Sequence, residues 1–103
     1  DGRAVNITEG IIRARYRAGD WEHPQLLDPD KPAEFTIDLQ STSNVFLKGH
    51  RVRVEVTSSN FPLWDRNLNT GEDPNRSTAM QVARQTILHD AAYPSRLVLP
   101  VIP

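Results

Sequence analysis

Serine, histidine and aspartate are all present in this sequence, but the motif that activates a serine in α/β-hydrolases is not. In that motif, G-x-S-x-G, a sharp turn between a strand and a helix exposes the serine for attack. A serine would have to stand two positions after a glycine. The residues at those positions are Ala4, Ile12, Trp21, Arg51 and Asp73.

A second possible source of catalysis is the adjacent pair His89-Asp90. Neighbouring side chains of an extended chain point to opposite faces, so these two cannot work on one substrate atom from a strand. We interpret the pair as part of a turn that precedes Ala91-Ala92-Tyr93-Pro94. The sequence therefore predicts no catalytic residue in this segment.

The spacing of potential metal ligands does not indicate a metal centre. His23, His50 and His89 are far apart, no H-x-x-x-H or H-E-x-x-H pattern occurs, and cysteine is absent. The long loop 58–78 could offer oxygen ligands to calcium, but such loops more commonly use these side chains to cap their own turns. We predict no metal and no cofactor, and keep calcium as the alternative; its ligands would be Asp65, Asn67, Asn69, Glu72 and Asp73.

Three aromatic side chains fall in predicted loops rather than in strands: Trp21 in the loop 18–32, and Phe61 and Trp64 in the loop 58–78. Exposed aromatic rings commonly anchor a protein partner or stack on a sugar ring. We predict that these three contact a neighbouring domain or a ligand.

The composition bounds the class of protein. The 103 residues fit one domain, here 1–103, and carry 12 basic and 13 acidic side chains with a net charge of −1. Such a balance predicts neither nucleic-acid nor membrane partners. The lack of cysteine is compatible with a reducing compartment, which slightly favours the cytoplasm but leaves localisation open.

Alternation of apolar and polar residues dominates the chain between its turns. The runs 12–17, 34–40 and 51–57 have a period of two, which is typical of strands with one buried and one exposed face. We predict a buried stripe of Val52, Val54 and Val56 that shares its core with Phe35, Ile37 and Leu39. On the outer face, arginines would pair with acidic side chains of neighbouring strands. For 80–89 a strand is preferred and a helix is the alternative, so the sequence predicts an all-β sandwich or barrel.

The first residues resemble half of a β-hairpin. Asp-Gly is a strong type I′ turn signal, and a strand-like run with Val5 and Ile7 follows it. A strand on the other side is expected but not present, which predicts a partial sandwich. The edge strand Arg3–Ile7 has little protection from charge or proline, so we predict self-association through it.

Several strings, taken in order, resemble the C-terminal domain of the X-Pro dipeptidyl-peptidase and cocaine-esterase family of serine hydrolases. They are residues 1–6 (DGRAVN), 10–17 (GIIRARYR), 49–56 (GHRVRVEV) with 58–62 (SSNFP), 66–71 (RNLNTG) and 94–101 (PSRLVLPV). The resemblance runs through most of the chain, although none of the strings is a catalytic signature.

This resemblance implies a jelly-roll β-sandwich of the galactose-binding-like type, of which the chain would form the second half. It also implies a partner, an upstream α/β-hydrolase catalytic domain that holds the Ser-Asp-His triad, and no triad residue maps onto this chain. The segment would help to wall the substrate pocket of that domain. A free-standing carbohydrate-binding module is the alternative, because galactose-binding-like sandwiches often have that role.

Overall fold

A computed structural model describes residues 2–102, and its one helical element is the 3-10 helix Ala14–Tyr16. The described residues contain no β-strand. The chain divides into two compact units, Asp1–Val56 and Thr57–Pro103. No helix in the described part is long and apolar enough to cross a membrane. The jelly-roll architecture and the single-domain organisation stay predictions.

The strand predicted for 12–17 is wrong over Ala14–Tyr16, where the chain forms the 3-10 helix. Arg13 is still extended, with φ −84° and ψ 122°, but Arg17 is helical with φ −58° and ψ −24°. The Arg17 Nη1 atom donates hydrogen bonds to the carbonyls of Ala14 and Gln25, at 3.0 and 2.7 Å. These local bonds favour a turn, and the alternation of apolar residues and arginines could not reveal them.

Two segments of the first unit lie alongside each other and run in opposite directions. Thr8 Oγ1 donates a hydrogen bond to the carbonyl of Leu39, and Thr42 Oγ1 lies 3.5 Å from the carbonyl oxygen of Ile7. Gly10 approaches Asp38 so closely that a Cβ atom there would stand 2.2 Å from the Asp38 carbonyl oxygen. The residue numbers rise in one segment as they fall in the other, which is the pairing direction of an antiparallel hairpin.

In the second unit, residues 67–69 are tied to Gln81. The backbone amide of Gln81 donates to the backbone carbonyl of Leu68 at 2.9 Å, and Asn69 Nδ2 donates to the backbone carbonyl of Gln81 at 3.0 Å. Asn69 has a φ of 58°, and its backbone amide donates a hydrogen bond to Asn67 Oδ1 at 3.0 Å. Residues 80–89 contain no helix, so the helical alternative for this run is wrong.

Asn69 has a left-handed backbone conformation, and its side chain donates a hydrogen bond to Gln81. Two substitutions separate the contributions of these two features to stability. We expect Asn69→Ala to lower the free energy of unfolding by about 2 kcal/mol, from about 1 kcal/mol for the lost bond and a similar left-handed penalty. Asn69→Gly keeps the backbone conformation accessible and should lose only about 1 kcal/mol. Urea denaturation measures both, and wild-type stability of both variants would contradict the tie to Gln81.

The predicted buried stripe is wrong for this structure. Val52, Val54 and Val56 are 52, 59 and 59% exposed, and Phe35 and Ile37 are 38 and 40% exposed. The residues that the structure describes include no buried hydrophobic side chain. The alternation identifies side chains whose burial would be favourable. It cannot show whether other residues of this chain bury them.

The predicted Asp1-Gly2 turn lies partly outside the described residues, because Asp1 is not among them. Gly2 has a φ of 70°, the sign that the second central residue of a type I′ turn requires. Val5 is 64% and Ile7 39% exposed, so the predicted edge Arg3–Ile7 presents apolar side chains.

Candidate functional site

The residues from Arg13 to Gln25 form a closely hydrogen-bonded loop, here called the Trp21 loop. Backbone bonds link Tyr16 to Arg13 at 2.9 Å and Gly19 to Tyr16 at 2.9 Å. A longer-range bond from the Gln25 amide to the Arg15 carbonyl, at 2.8 Å, closes the loop. Gly19 allows the turn because its φ of 79° favours glycine.

Asp20 stabilises the next turn of the Trp21 loop. Its Oδ1 atom accepts hydrogen bonds from the backbone amides of Glu22 and His23, both at 3.0 Å. Its Oδ2 atom lies 2.9 Å from His23 Nδ1. The hydrogen bond from the His23 side chain, together with the two amides, lowers the pKa of Asp20. The capping therefore stabilises the loop above the usual pKa of an aspartate and is lost as the pH falls through the lowered value.

Trp21 follows Asp20 directly in this loop, and its ring contacts the ring of Tyr16. The centroids of the Tyr16 and Trp21 rings are 4.9 Å apart and their planes are tilted by 34°. Tyr16 is half-buried, whereas Trp21 remains 72% exposed. The loop thus orients a large apolar ring but does not cover it.

The other two predicted aromatic residues belong to the second unit. Phe61 is 67% and Trp64 42% exposed, and the Trp64 amide donates to the carbonyl of Asn60 at 3.1 Å. Phe61 and Trp64 therefore lie in one turn, while Trp21 lies in the first unit. Their role in an interface or in ligand contact stays a prediction.

Several of the polar residues considered for catalysis and metal binding are engaged in local turns. Asp90 Oδ1 accepts from the amides of Ala92 and Tyr93 at 2.9 and 2.8 Å, which confirms a turn after His89. Asp73 Oδ1 accepts from the Asn75 amide at 2.9 Å, as Asn67 does for Asn69, so capping in the loop 58–78 is confirmed. Within residues 2–102, no group of three acidic or histidine side chains could hold a metal ion.

Sequence reasoning missed the residues that support Trp21. The alternation predicts a strand for Tyr16 and Arg17, and it gives no indication of the role of Asp20. The available signal was Gly19-Asp20, a turn former followed by a residue that commonly caps backbone amides two and three positions on. The alternation that precedes this signal favours a strand instead.

Comparison with known proteins identifies the class to which this chain belongs. Residues 1–98 match the family described as X-Pro dipeptidyl-peptidase C-terminal non-catalytic domain, and the chain is a member of that family. It is also similar to a cocaine esterase of Rhodococcus sp. (strain MB1 Bresler), with 45% identity over 104 residues. The alignment covers 99% of this chain and 18% of that esterase. No solved structure matches this chain significantly. The predicted family is confirmed.

Proposed function

We propose that this chain is an accessory domain of a serine hydrolase of the X-Pro dipeptidyl-peptidase or acyl-esterase type. The observation that carries the proposal is membership of a family described as non-catalytic. The chain spans 18% of the curated relative that it matches, so most of that relative lies outside the aligned part. A catalytic α/β-hydrolase domain on the same polypeptide would carry out the reaction, and the accessory domain would form a jelly-roll β-sandwich against it.

The exposed apolar side chains support packing against another domain. A soluble monomer rarely leaves large contiguous apolar patches in water, because burial contributes about 25 cal/mol for each Å² removed from water. The alternating side chains Val52, Val54 and Val56 are all more than half exposed. A catalytic domain that covers these residues would supply the missing burial.

A second part of the proposal is that the Phe61–Trp64 turn helps to wall the substrate pocket. A pocket between two domains excludes water and limits the size of the substrate better than an open cleft does. Aromatic side chains suit such a wall because they give a large apolar contact area with few rotatable bonds. The bound substrate would be an ester or an amide with its acyl group next to these rings.

Substitutions in this turn test the pocket-wall role. We expect Phe61→Ala or Trp64→Ala to raise KM for an ester with a bulky aromatic acyl group about tenfold, since a buried aromatic contact is worth ~1–2 kcal/mol. KM for a small acetyl ester and kcat for both should change little. Val82→Ala, at a side chain that is 91% exposed in the same unit, is the control. Equal KM values for all three variants would exclude a wall at this turn.

The proposal also predicts that no serine of this chain is a nucleophile. We expect Ser58→Ala, Ser59→Ala and Ser95→Ala to keep kcat/KM within about twofold of wild type, because loss of a nucleophile costs many orders of magnitude. Ser95 Oγ donates to the carbonyl of Leu88 at 2.5 Å, so its variant also reports on a structural bond. Steady-state hydrolysis of an X-Pro anilide and an aryl ester measures this, and a loss of more than a thousandfold in one variant would refute the proposal.

Self-association through Arg3–Ile7 stays a prediction. The exposed Val5 and Ile7 would promote pairing between copies if the edge is not covered by another part of the polypeptide. Sedimentation of the 103-residue chain at micromolar concentration should show dimers or larger species. Val5→Lys should shift the distribution toward monomer, and a monomeric wild-type chain would contradict the prediction.

A further inference from the structure

We propose that the Trp21 loop is a preformed docking element that inserts the Trp21 ring into an apolar pocket on the catalytic domain of the same polypeptide. The inference rests on the proposed function, since it needs a catalytic domain in contact with this chain. It adds the specific contact and the kind of surface that receives it.

The Trp21 loop is organised before any partner binds. The Gln25–Arg15 backbone bond closes it, and Arg17 Nη1 bridges the carbonyls of Ala14 and Gln25. Ordering a loop and its side chains at an interface costs free energy, and a loop that is already ordered avoids most of that cost. The hydrogen bonds of this loop therefore favour tight docking of the residue exposed at its tip.

The residue exposed at the tip is Trp21. Asp20 accepts hydrogen bonds from the backbone amides of Glu22 and His23, which follow Trp21 in the chain, and the Tyr16 ring lies against the indole. Trp21 is nevertheless left largely to solvent, with an exposure of 72%. Tryptophan is among the residues most often found as energetic anchors at the centre of protein interfaces.

The polar groups around the ring favour a protein pocket over a sugar. A sugar that stacks on an indole also needs hydrogen-bonding groups beside the ring for its hydroxyls. Both carboxylate oxygens of Asp20 are already bonded to His23 or to loop amides, and His23 Nδ1 is bonded to Asp20. Arg17 is committed to two backbone carbonyls. These polar groups are engaged within the loop, whereas the exposed Trp21 ring offers an apolar surface, which fits an apolar pocket.

The length of the related esterase favours the catalytic domain as the occupant. The aligned part is 18% of that protein, so the remainder is several times larger than this chain. A partner on the same polypeptide is present at an effective concentration in the millimolar range, which a second copy does not reach at ordinary protein concentrations. We therefore assign the pocket to the same polypeptide.

A photo-crosslinking experiment on the full-length protein tests this assignment. The substitution Trp21→p-benzoyl-phenylalanine places a photoreactive ring at the tip of the loop, and Glu22→p-benzoyl-phenylalanine is the control on the neighbouring side chain. After irradiation, we expect the Trp21 variant to form crosslinks to residues outside 1–103 while keeping the mass of a monomer. The control should give about tenfold less, because an anchor is enclosed by its pocket and a rim residue is not.

Two outcomes would overturn the inference: crosslinks that double the mass, which would indicate a second copy, and a yield no higher than that of the control. A third variant, Val54→p-benzoyl-phenylalanine, separates this failure from failure of the proposed function. Crosslinks to residues outside 1–103 from Val54 but not from Trp21 would reject the Trp21 contact alone. Their absence from both would reject packing on a catalytic domain.

Oxidative footprinting of the unmodified protein needs no substitution and checks the same contact. We expect the Trp21 side chain to be oxidised about tenfold more slowly in the full-length protein than in a peptide of residues 17–25, because the partner pocket excludes water from the ring. Oxidation at the peptide rate would overturn the inference. Slower oxidation that appears only after a soluble galactoside is added would overturn it too, in favour of sugar binding.

Discussion

Replacing Gly10 with alanine should lower the free energy of unfolding by about 2–3 kcal/mol, as is typical when extra atoms are forced into a packed contact. The new Cβ atom would stand 2.2 Å from the carbonyl oxygen and 3.1 Å from the carbonyl carbon of Asp38, and 3.0 Å from Ile37 Cγ2. The first two are backbone atoms, which cannot rotate away. Segments 7–10 and 38–42 would have to separate, weakening the bonds of Thr8 and Thr42.

Gly19→Ala is a suitable control because the physical cause of its destabilisation differs from that of Gly10→Ala. No atom lies within 4 Å of a Cβ at Gly19, so only the left-handed backbone opposes the change. That penalty is about 1 kcal/mol. Urea denaturation of the full-length protein measures both variants. A Gly10→Ala loss no larger than that of Gly19→Ala would show that the two segments do not lie together.

Val54→Ala should cost about 2 kcal/mol in the full-length protein, although Val54 is 59% exposed here. The estimate follows from the proposed cover by a catalytic domain, since removing a buried aliphatic side chain loses burial and leaves a cavity. A loss of that size is a large fraction of a typical stability of ~5–15 kcal/mol. Thermal and urea denaturation should show it in the transition that includes this segment.

Arg53→Ala is the matched control for Val54→Ala. The Arg53 side chain is 70% exposed, and its Nη1 atom lies 3.4 Å from Glu55 Oε1. Exposed ion pairs of this kind contribute about 0–1 kcal/mol, so the variant should unfold close to wild type. Similar small losses at both positions would mean that Val54 stays in water in the complete protein.

The sequence was most informative where residue chemistry acts locally. The prediction that Asp73 and Asn67 cap their own turns is confirmed, and so is the turn after His89 that Asp90 caps. Each depends on a short polar side chain bonding an amide two or three residues on, and no distant part of the fold decides it. The family was also identified from local strings, and 1–98 match it.

Alternation was a weaker guide, because it reports a need for burial and not the structure that satisfies it. Ile12, Ala14 and Tyr16 alternate with arginines, yet the chain forms a 3-10 helix at Ala14–Tyr16. Val54 alternates equally well and remains exposed. The partner surface that would cover such residues is encoded by other residues, so no pattern within this chain could describe it.

The structure of the Trp21 loop could be predicted from the sequence only in part. Trp21 was singled out from sequence as an interface or ligand residue, and the structure places its ring at an exposed tip. The sequence signals the Asp20 cap through Gly19-Asp20, whereas the support from Tyr16 is visible only from the ring contact. The proposed docking element would consist of these supports as well as of Trp21.

The proposal that a catalytic domain outside residues 1–103 supplies a reactive serine can be tested directly on the full-length protein. A fluorophosphonate probe forms a covalent bond with an activated serine, and peptide mass spectrometry identifies the modified residue. We predict a single labelled serine outside residues 1–103 and loss of esterase activity in proportion to labelling. A label on any serine of this chain, Ser41, Ser43, Ser58, Ser59, Ser77 or Ser95, would contradict a non-catalytic accessory domain.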